Sequence, residues 1–348
     1  MAGRRYPPFG RAPGHRAGGE LLATGAAAGR WEVMHRSPTA LLLVCALLGG
    51  GCAGTAPLQP KAVQLNRAGT EALAGGDLET AEARFALALE YHPRFVEALV
   101  NLGLVEMQRG NFARARLEFE RACRINADLA QPHHALGVLA ERERRPDVAA
   151  ELYREALRVN PGFAPSRGNL ARMLFAAGRY DDAREQFLRL VEVAPGELAG
   201  RTGLAETLLQ LDRDEESDAI VDRALREFGQ RPELVILAAR RLLRRGDPEG
   251  AEAALMPLAR ANDDNARAAW SWIAMARLAR RDDSGAFEAC EKAFVLDRND
   301  ALATYVVAMG LRANRDRRAL TWLERAHLLS PHNAVLFDEL QKARAEGR

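Results

Sequence analysis

The sequence is poor in lysine, isoleucine and aromatic residues, and its charges nearly cancel. Only three of its 49 basic residues are lysines, and isoleucine occurs at four of the 348 positions. A chain that is rich in alanine, leucine, arginine and glutamate but poor in β-branched residues favours helix over sheet. The net charge of +2 gives no sign of the basic surface that nucleic-acid binding requires. The composition therefore predicts an all-α protein without a nucleic-acid partner.

Cysteines are few, and the apolar run near the N-terminus is short. Four cysteines without close spacing exclude a disulfide-stabilised scaffold. The run over residues 40–48 has nine residues, whereas a membrane-spanning helix needs about 20. It follows a short basic start at 34–36 and precedes three glycines and Cys52. This arrangement is typical of a secretory signal peptide.

A cysteine directly after small residues resembles the processing site of bacterial lipoproteins. That resemblance implies cleavage before Cys52 and acylation of its thiol and its new amine, although Gly49 stands where the family usually has leucine. Residues 34–51 are then the signal peptide, 52–61 a linker, and 1–33 an extension upstream of the true start at Met34. A plain secretory signal and an unprocessed apolar N-terminus are the alternatives.

Small residues recur through the rest of the chain at an almost constant interval of 33 to 35 residues, most often 34. Such a period is typical of a repeat architecture. The first series is Gly69, Gly103, Gly137, Ala171, Ala205, Ala239, Ala274 and Ala308. The second is Ala81, Ala115, Ala149, Ala183, Ser217, Ala251, Ala286 and Ala319. Bulky apolar residues follow the second series at Phe85, Phe119, Tyr153, Phe187, Val221 and Leu255.

This pattern resembles the tetratricopeptide repeat, and the resemblance covers residues 62–333 as eight repeats. It implies two antiparallel helices per repeat, joined by a tight turn such as Gly75-Gly76-Asp77, where glycine takes a left-handed backbone. No repeat buries its apolar face alone, so stacking builds one continuous core. The predicted fold is a right-handed α-solenoid of eight helix pairs, with residues 332–346 as a capping helix.

Residue patterns that would support catalysis or metal binding are missing. The sequence has neither a His-x-x-x-His nor a Cys-x-x-Cys spacing. His133 and His134 are adjacent, and adjacent helical side chains point about 100° apart, so they are not expected to share a metal. Cys123 and Cys290 are expected to be buried and unreactive. We therefore expect a protein that is not an enzyme and that has no cofactor.

The family resemblance implies that the first helices of the repeats line a concave protein-binding groove. Some members grip a carboxylate there, but of the corresponding positions here only Asn101 has the matching residue type, so that clamp is not expected. The N-terminal half of the groove is expected to be polar, with Asn101, His134 and Asn169. The C-terminal half is expected to make the main contact, through Trp272, Met275, Tyr305, Arg240 and Arg244.

Aromatic side chains and arginine dominate binding energy at interfaces, which favours this C-terminal site and an acidic partner segment. The alternative is that Trp272 and Tyr305 belong to the core. In that case the polar stretch around Asn101, His134 and Asn169 is the next candidate.

The chain is similar to tetratricopeptide lipoproteins of the outer membrane, such as pilotin-type assembly factors. The resemblance implies a lipid-anchored scaffold that faces the periplasm and binds another envelope protein during assembly of a pilus, secretion, motility or polysaccharide-export machine. Two alternatives remain: a soluble or inner-membrane adaptor, and a regulator of a cell-wall hydrolase or protease.

Overall fold

The computed structural model describes residues 57–261, 264–331 and 333–346. Within them the chain forms 17 α-helices and no strand, which confirms the predicted α-solenoid of eight helix pairs and a C-terminal helix. The predicted signal peptide and Cys52 lie outside the described residues. The helices are α1 Pro60–Ala74, α2 Leu78–Tyr91, α3 Val96–Gln108, α4 Phe112–Ile125, α5 Ala130–Arg142, α6 Pro146–Val159, α7 Ala164–Ala176, α8 Tyr180–Val193, α9 Leu198–Gln210, α10 Asp214–Phe228, α11 Pro232–Arg244, α12 Pro248–Arg260, α13 Asp264–Ala279, α14 Asp283–Leu296, α15 Ala301–Ala313, α16 Arg318–Leu329 and α17 Ala334–Glu346.

The described chain divides into two compact units. The N-terminal unit contains residues 57–174 and 185–195, and the C-terminal unit contains residues 175–184 and 196–346. Within each unit, a first helix packs against the second helix of its own repeat and against the first helix of the next repeat. None of the helices in the described residues combines the length and the apolar content needed to cross a membrane.

The turn inside every repeat places one residue in the left-handed region of the backbone. Glycine takes this position in four repeats, at Gly76, Gly110, Gly178 and Gly246. The other four repeats use Arg144, Asp212, Arg281 and Arg315, with φ between 53° and 65°. A non-glycine residue there costs about 1–2 kcal/mol. The packing of the two helices therefore imposes the turn even where the residue type opposes it.

The two helices of a repeat meet at the small residue of the first helix. In the first three repeats this residue is glycine, and an added Cβ would lie within 2.6 Å of the ring of Phe85, Phe119 or Tyr153. Repeats five to eight pair an alanine with a smaller buried side chain in the same core cluster. These pairs are Ala205 with Val221, Ala239 with Leu255, Ala274 with Cys290, and Ala308 with Leu323.

In most repeats the size of the first-helix residue is therefore matched to that of the second-helix side chain: glycine goes with an aromatic ring and alanine with a smaller side chain. This matching maintains the contact between the two helices. The fourth repeat is an exception because it combines Ala171 with Phe187, and both are buried.

Candidate protein-binding surface

Polar side chains on the first helices of the N-terminal unit form hydrogen bonds with one another. Asn101 on α3 donates through Nδ2 to Asn66 Oδ1 at 3.0 Å and to Thr70 Oγ1 at 3.4 Å, both on α1. Asn101 is only 3% exposed, whereas Asn66 and Thr70 are half-buried. Asn101 is therefore buried rather than exposed, and its amide holds these two neighbours.

His134 on α5 lies in a similar but more aromatic environment. Its Nδ1 is 3.0 Å from Ser166 Oγ on α7, and its ring centre is 5.5 Å from those of both Tyr153 and Phe163. Burial lowers the pKa of His134 to about 4. The imidazole is therefore neutral at pH 7 and offers a partner hydrogen bonding rather than charge.

The low pKa of His134 predicts a pH dependence of stability. The unfolded chain binds a proton at this histidine near pH 6.5, whereas the folded chain does so only near pH 4. Between these values the unfolded state binds more protons, so stability falls as the pH decreases. We expect about 2 kcal/mol to be lost between pH 7 and pH 5 through this group.

Urea denaturation of the wild type and of His134→Gln at pH 7 and pH 5 measures the contribution of His134 to this loss of stability. The glutamine variant keeps a hydrogen-bonding side chain but cannot titrate, so its loss of stability between pH 7 and pH 5 should be smaller by about 2 kcal/mol. An identical loss in both proteins would contradict the prediction.

Tyr153 is at the centre of a second network in the same unit. Its hydroxyl donates to Glu141 Oε1 at 2.7 Å and accepts from Asn169 Nδ2 at 2.9 Å. Arg172 donates to Asn169 Oδ1 at 2.9 Å and lies 3.6 Å from a Glu141 oxygen. Burial, reinforced by Glu141, raises the pKa of Tyr153, which keeps its hydroxyl protonated.

Sequence reasoning did not identify Glu141 or Tyr153 as part of the site, although one signal was present. The bulky core position is phenylalanine in repeats one, two and four but tyrosine in repeat three. A buried tyrosine hydroxyl requires a hydrogen-bonding partner. The accessible members of these networks, all half-buried, form what we call the N-terminal polar face. It consists of Asn66, Thr70, His134, Asn169 and Arg172.

The aromatic residues predicted to form an exposed site in the C-terminal unit are buried. Trp272 is completely inaccessible and Tyr305 is 6% exposed, so the prediction of an exposed aromatic pair is wrong and the core alternative describes both residues. Trp272 faces the preceding first helix, where the guanidinium of Arg240 lies 5.2 Å from the ring centre. The equivalent residues two positions before the small residue, Leu237 and Val306, are buried as well.

The arginines predicted to bind an acidic partner are already paired with carboxylates of this chain. Buried Arg240 donates to Glu206 Oε1 at 3.1 Å. Arg244 lies 3.0 Å from Asp212 and 2.8 Å from Asp214. Met275 is half-buried against two core clusters. These contacts do not support the predicted C-terminal contact site, and the N-terminal polar face is the better candidate.

The described cysteines and histidines form no metal-binding cluster. Burial raises the pKa of the Cys290 thiol to about 12 and that of Cys123 to about 11, so both are protonated. Cys123 is only half-buried, contrary to prediction, because its Sγ lies at the repeat boundary, 3.9 Å from His133 Nδ1. His133 and His134 have different partners. Among the described residues, no three His, Cys, Asp or Glu side chains are placed to hold a metal ion.

The repeats match known families and structures. Family models of the tetratricopeptide repeat match residues 66–130, 140–199 and 236–301, more than half of the chain. The type IV pilus assembly protein PilF of Pseudomonas aeruginosa is 39% identical over 61 residues, which are 18% of this chain and 24% of PilF. That sequence match therefore spans about a quarter of the relative's length.

Two solved structures are similar in fold. A tetratricopeptide repeat protein from Parabacteroides merdae superimposes with a TM-score of 0.54 at 17% identity, over 74% of this chain and 100% of that one. The structure of Pseudomonas aeruginosa PilF superimposes with a TM-score of 0.51 at 22% identity, over 62% of this chain and 97% of that one. The helix pairs, their period and the family matches together show that the chain belongs to the tetratricopeptide repeat family.

Proposed function

We propose that this protein is a non-enzymatic, lipid-anchored scaffold that binds an extended segment of another cell-envelope protein through the N-terminal polar face. Its repeat fold is suited to protein–protein interaction. The local similarity to a type IV pilus assembly protein supports a role in assembling a surface machine such as a pilus. The short apolar run before Cys52 supports an acyl anchor at that residue, with the repeats facing the periplasm from the outer membrane.

The observation that carries the proposal is that the N-terminal polar face is held in place by buried neighbours. Asn101 fixes Asn66 and Thr70, while Tyr153 fixes Asn169. Side chains whose conformations are already restricted lose less entropy when a partner binds. This face therefore offers hydrogen-bond donors and acceptors that lose little conformational entropy when a partner binds.

The charge of the face indicates what it would bind. His134 is neutral at pH 7, and Arg172 is balanced by Glu141 at 3.6 Å. A face of hydrogen-bonding groups with little net charge suits the backbone of an extended segment better than a highly charged one. The proposed partner segment is therefore polar and uncharged.

Site-specific photo-crosslinking tests this proposal in cells that make the protein. A photoreactive amino acid at Asn66 or Arg172 should capture the same envelope protein. The matched control is Arg124, whose side chain is 63% exposed on the second helix α4. Capture from Arg124 and not from Asn66 or Arg172 would place the binding surface elsewhere.

The proposed anchor predicts the behaviour of Cys52→Ser. The variant should fold normally but move from the membrane fraction to the soluble fraction, because two or three acyl chains are needed for stable anchoring. Fractionation and mass spectrometry of the mature N-terminus measure this. A variant that stays with the membranes after a mild salt wash would refute the anchor while leaving the crosslinking result intact.

A further inference from the structure

Two aliphatic side chains on the second helices of the last two repeats are almost fully exposed. Val295 on α14 is 85% exposed and Leu328 on α16 is 79% exposed. Each follows the bulky core position of its repeat by five residues. The same position in the first six repeats is exposed and always charged. Those residues are Glu90, Arg124, Arg158, Glu192, Arg226 and Arg260.

The two helices that carry the exposed pair contact each other. The Phe294 ring, next to Val295, lies 6.0 Å from that of Trp322 on α16. Arg325 on α16 donates to the carbonyl oxygen of Arg298 at 2.6 Å, just beyond the end of α14. We call the surface centred on Val295 and Leu328 the C-terminal outer face.

Half-buried aromatic rings beneath charged groups extend the face. The Lys292 ammonium lies 4.3 Å from the Trp270 ring centre, and the Arg325 guanidinium lies 5.4 Å from that of Trp322. Tryptophan and arginine are enriched among the residues that dominate binding energy at interfaces. Exposed hydrophobic side chains are ordinary when they occur singly, but a pair at equivalent positions of adjacent repeats makes a patch.

The charges on the two helices identify the kind of partner. The two helices and residues 297–298 have five acidic and four basic side chains, so a second copy in an antiparallel arrangement can place basic groups opposite acidic ones. A face without net positive charge gives an anionic membrane surface no comparable attraction. The nine residues are Asp283, Glu288, Glu291, Asp297, Glu324, Lys292, Arg298, Arg318 and Arg325.

We propose that the C-terminal outer face is a self-association surface on which a second copy of this chain packs, with Val295 and Leu328 at its centre. The surface lies mainly on second helices and shares no residue with the N-terminal polar face.

Sedimentation velocity of the purified full chain, up to about 100 µM, tests this, because a small interface forms a weak dimer. The wild type should dimerise as the concentration rises. Val295→Glu/Leu328→Glu introduces two like charges, as Glu90 and Glu192 provide at this position in earlier repeats, and it should weaken dimerisation at least about tenfold. Its melting temperature should stay unchanged, because both side chains project into solvent.

The matched control is Leu117→Arg, which replaces a 56% exposed leucine on α4 of the N-terminal unit and should dimerise like the wild type. A wild type that remains monomeric, or a double variant that dimerises equally well, would overturn the proposal. Flotation of the wild type, but not of the double variant, with phosphatidylglycerol vesicles would also overturn it and would assign the face to a membrane.

Discussion

Gly103→Ala is expected to destabilise the protein by about 1–3 kcal/mol. The substitution improves helix propensity by roughly 1 kcal/mol, which by itself would be stabilising. The new methyl group, however, would overlap the buried ring of Phe119, which is enclosed on all sides. To avoid this overlap, the two helices of the repeat must move apart, and the protein then loses packing along the whole contact between them. Urea denaturation followed by circular dichroism measures the difference.

The chain provides both a control and a rescue for this experiment. Gly168 is also inside a first helix, but a Cβ there would lie 3.5 Å from Leu190 Cδ2, which is ordinary contact. Gly168→Ala should therefore stabilise the protein by up to about 1 kcal/mol. Adding Phe119→Leu to Gly103→Ala should recover part of the loss, because it recreates the pairing of Ala239 with Leu255. The size-matching argument fails if Gly103→Ala is as stable as Gly168→Ala.

Trp272→Ala should have a still larger effect, with a loss of about 3–5 kcal/mol. Among the described residues Trp272 is the largest fully buried side chain, and it packs with Ile236, Leu255 and Ile273 in one core cluster. Its removal would leave a cavity, and the charge of Arg240 would lose the ring that lies beside it.

The matched control is Trp270→Ala, two residues away. Because Trp270 is half-buried at the edge of the same cluster, Trp270→Ala should destabilise the protein clearly less. Thermal unfolding of the two variants decides the question. A Trp272→Ala protein that melts like the wild type would contradict the core position and restore the exposed binding site that the sequence suggested.

The sequence period was sufficient to predict the helix pairs, because small residues and turn positions recur wherever two helices must approach. It was not sufficient to orient the first-helix side chains. A first helix has one face toward its own second helix and another toward the preceding first helix. Trp272 lies on the latter face, as Asn101 does where it contacts Thr70. Arg67, at the equivalent position of α1, is exposed.

Charge pairing was equally hard to predict from spacing. Arg244 and its partner Asp212 are 32 residues apart and belong to successive repeats. The acidic run at 212–216 provides both carboxylates that hold Arg244. Only the stacking of the repeats brings these groups within 3 Å. The sequence alone therefore could not show that the arginine was already occupied.

The pairing of glycine with an aromatic ring affects how such a chain can change by recombination. A first helix with Gly103 would leave a void beside Leu255, and a first helix with Ala239 would collide with Phe119. Crossovers inside a repeat, at the turn between its two helices, would therefore create mismatched halves. Crossovers between repeats keep each matched couple intact. The unit that recombination can exchange without a mismatch is therefore the complete helix pair. Insertions or deletions that preserve the fold should come in multiples of about 34 residues.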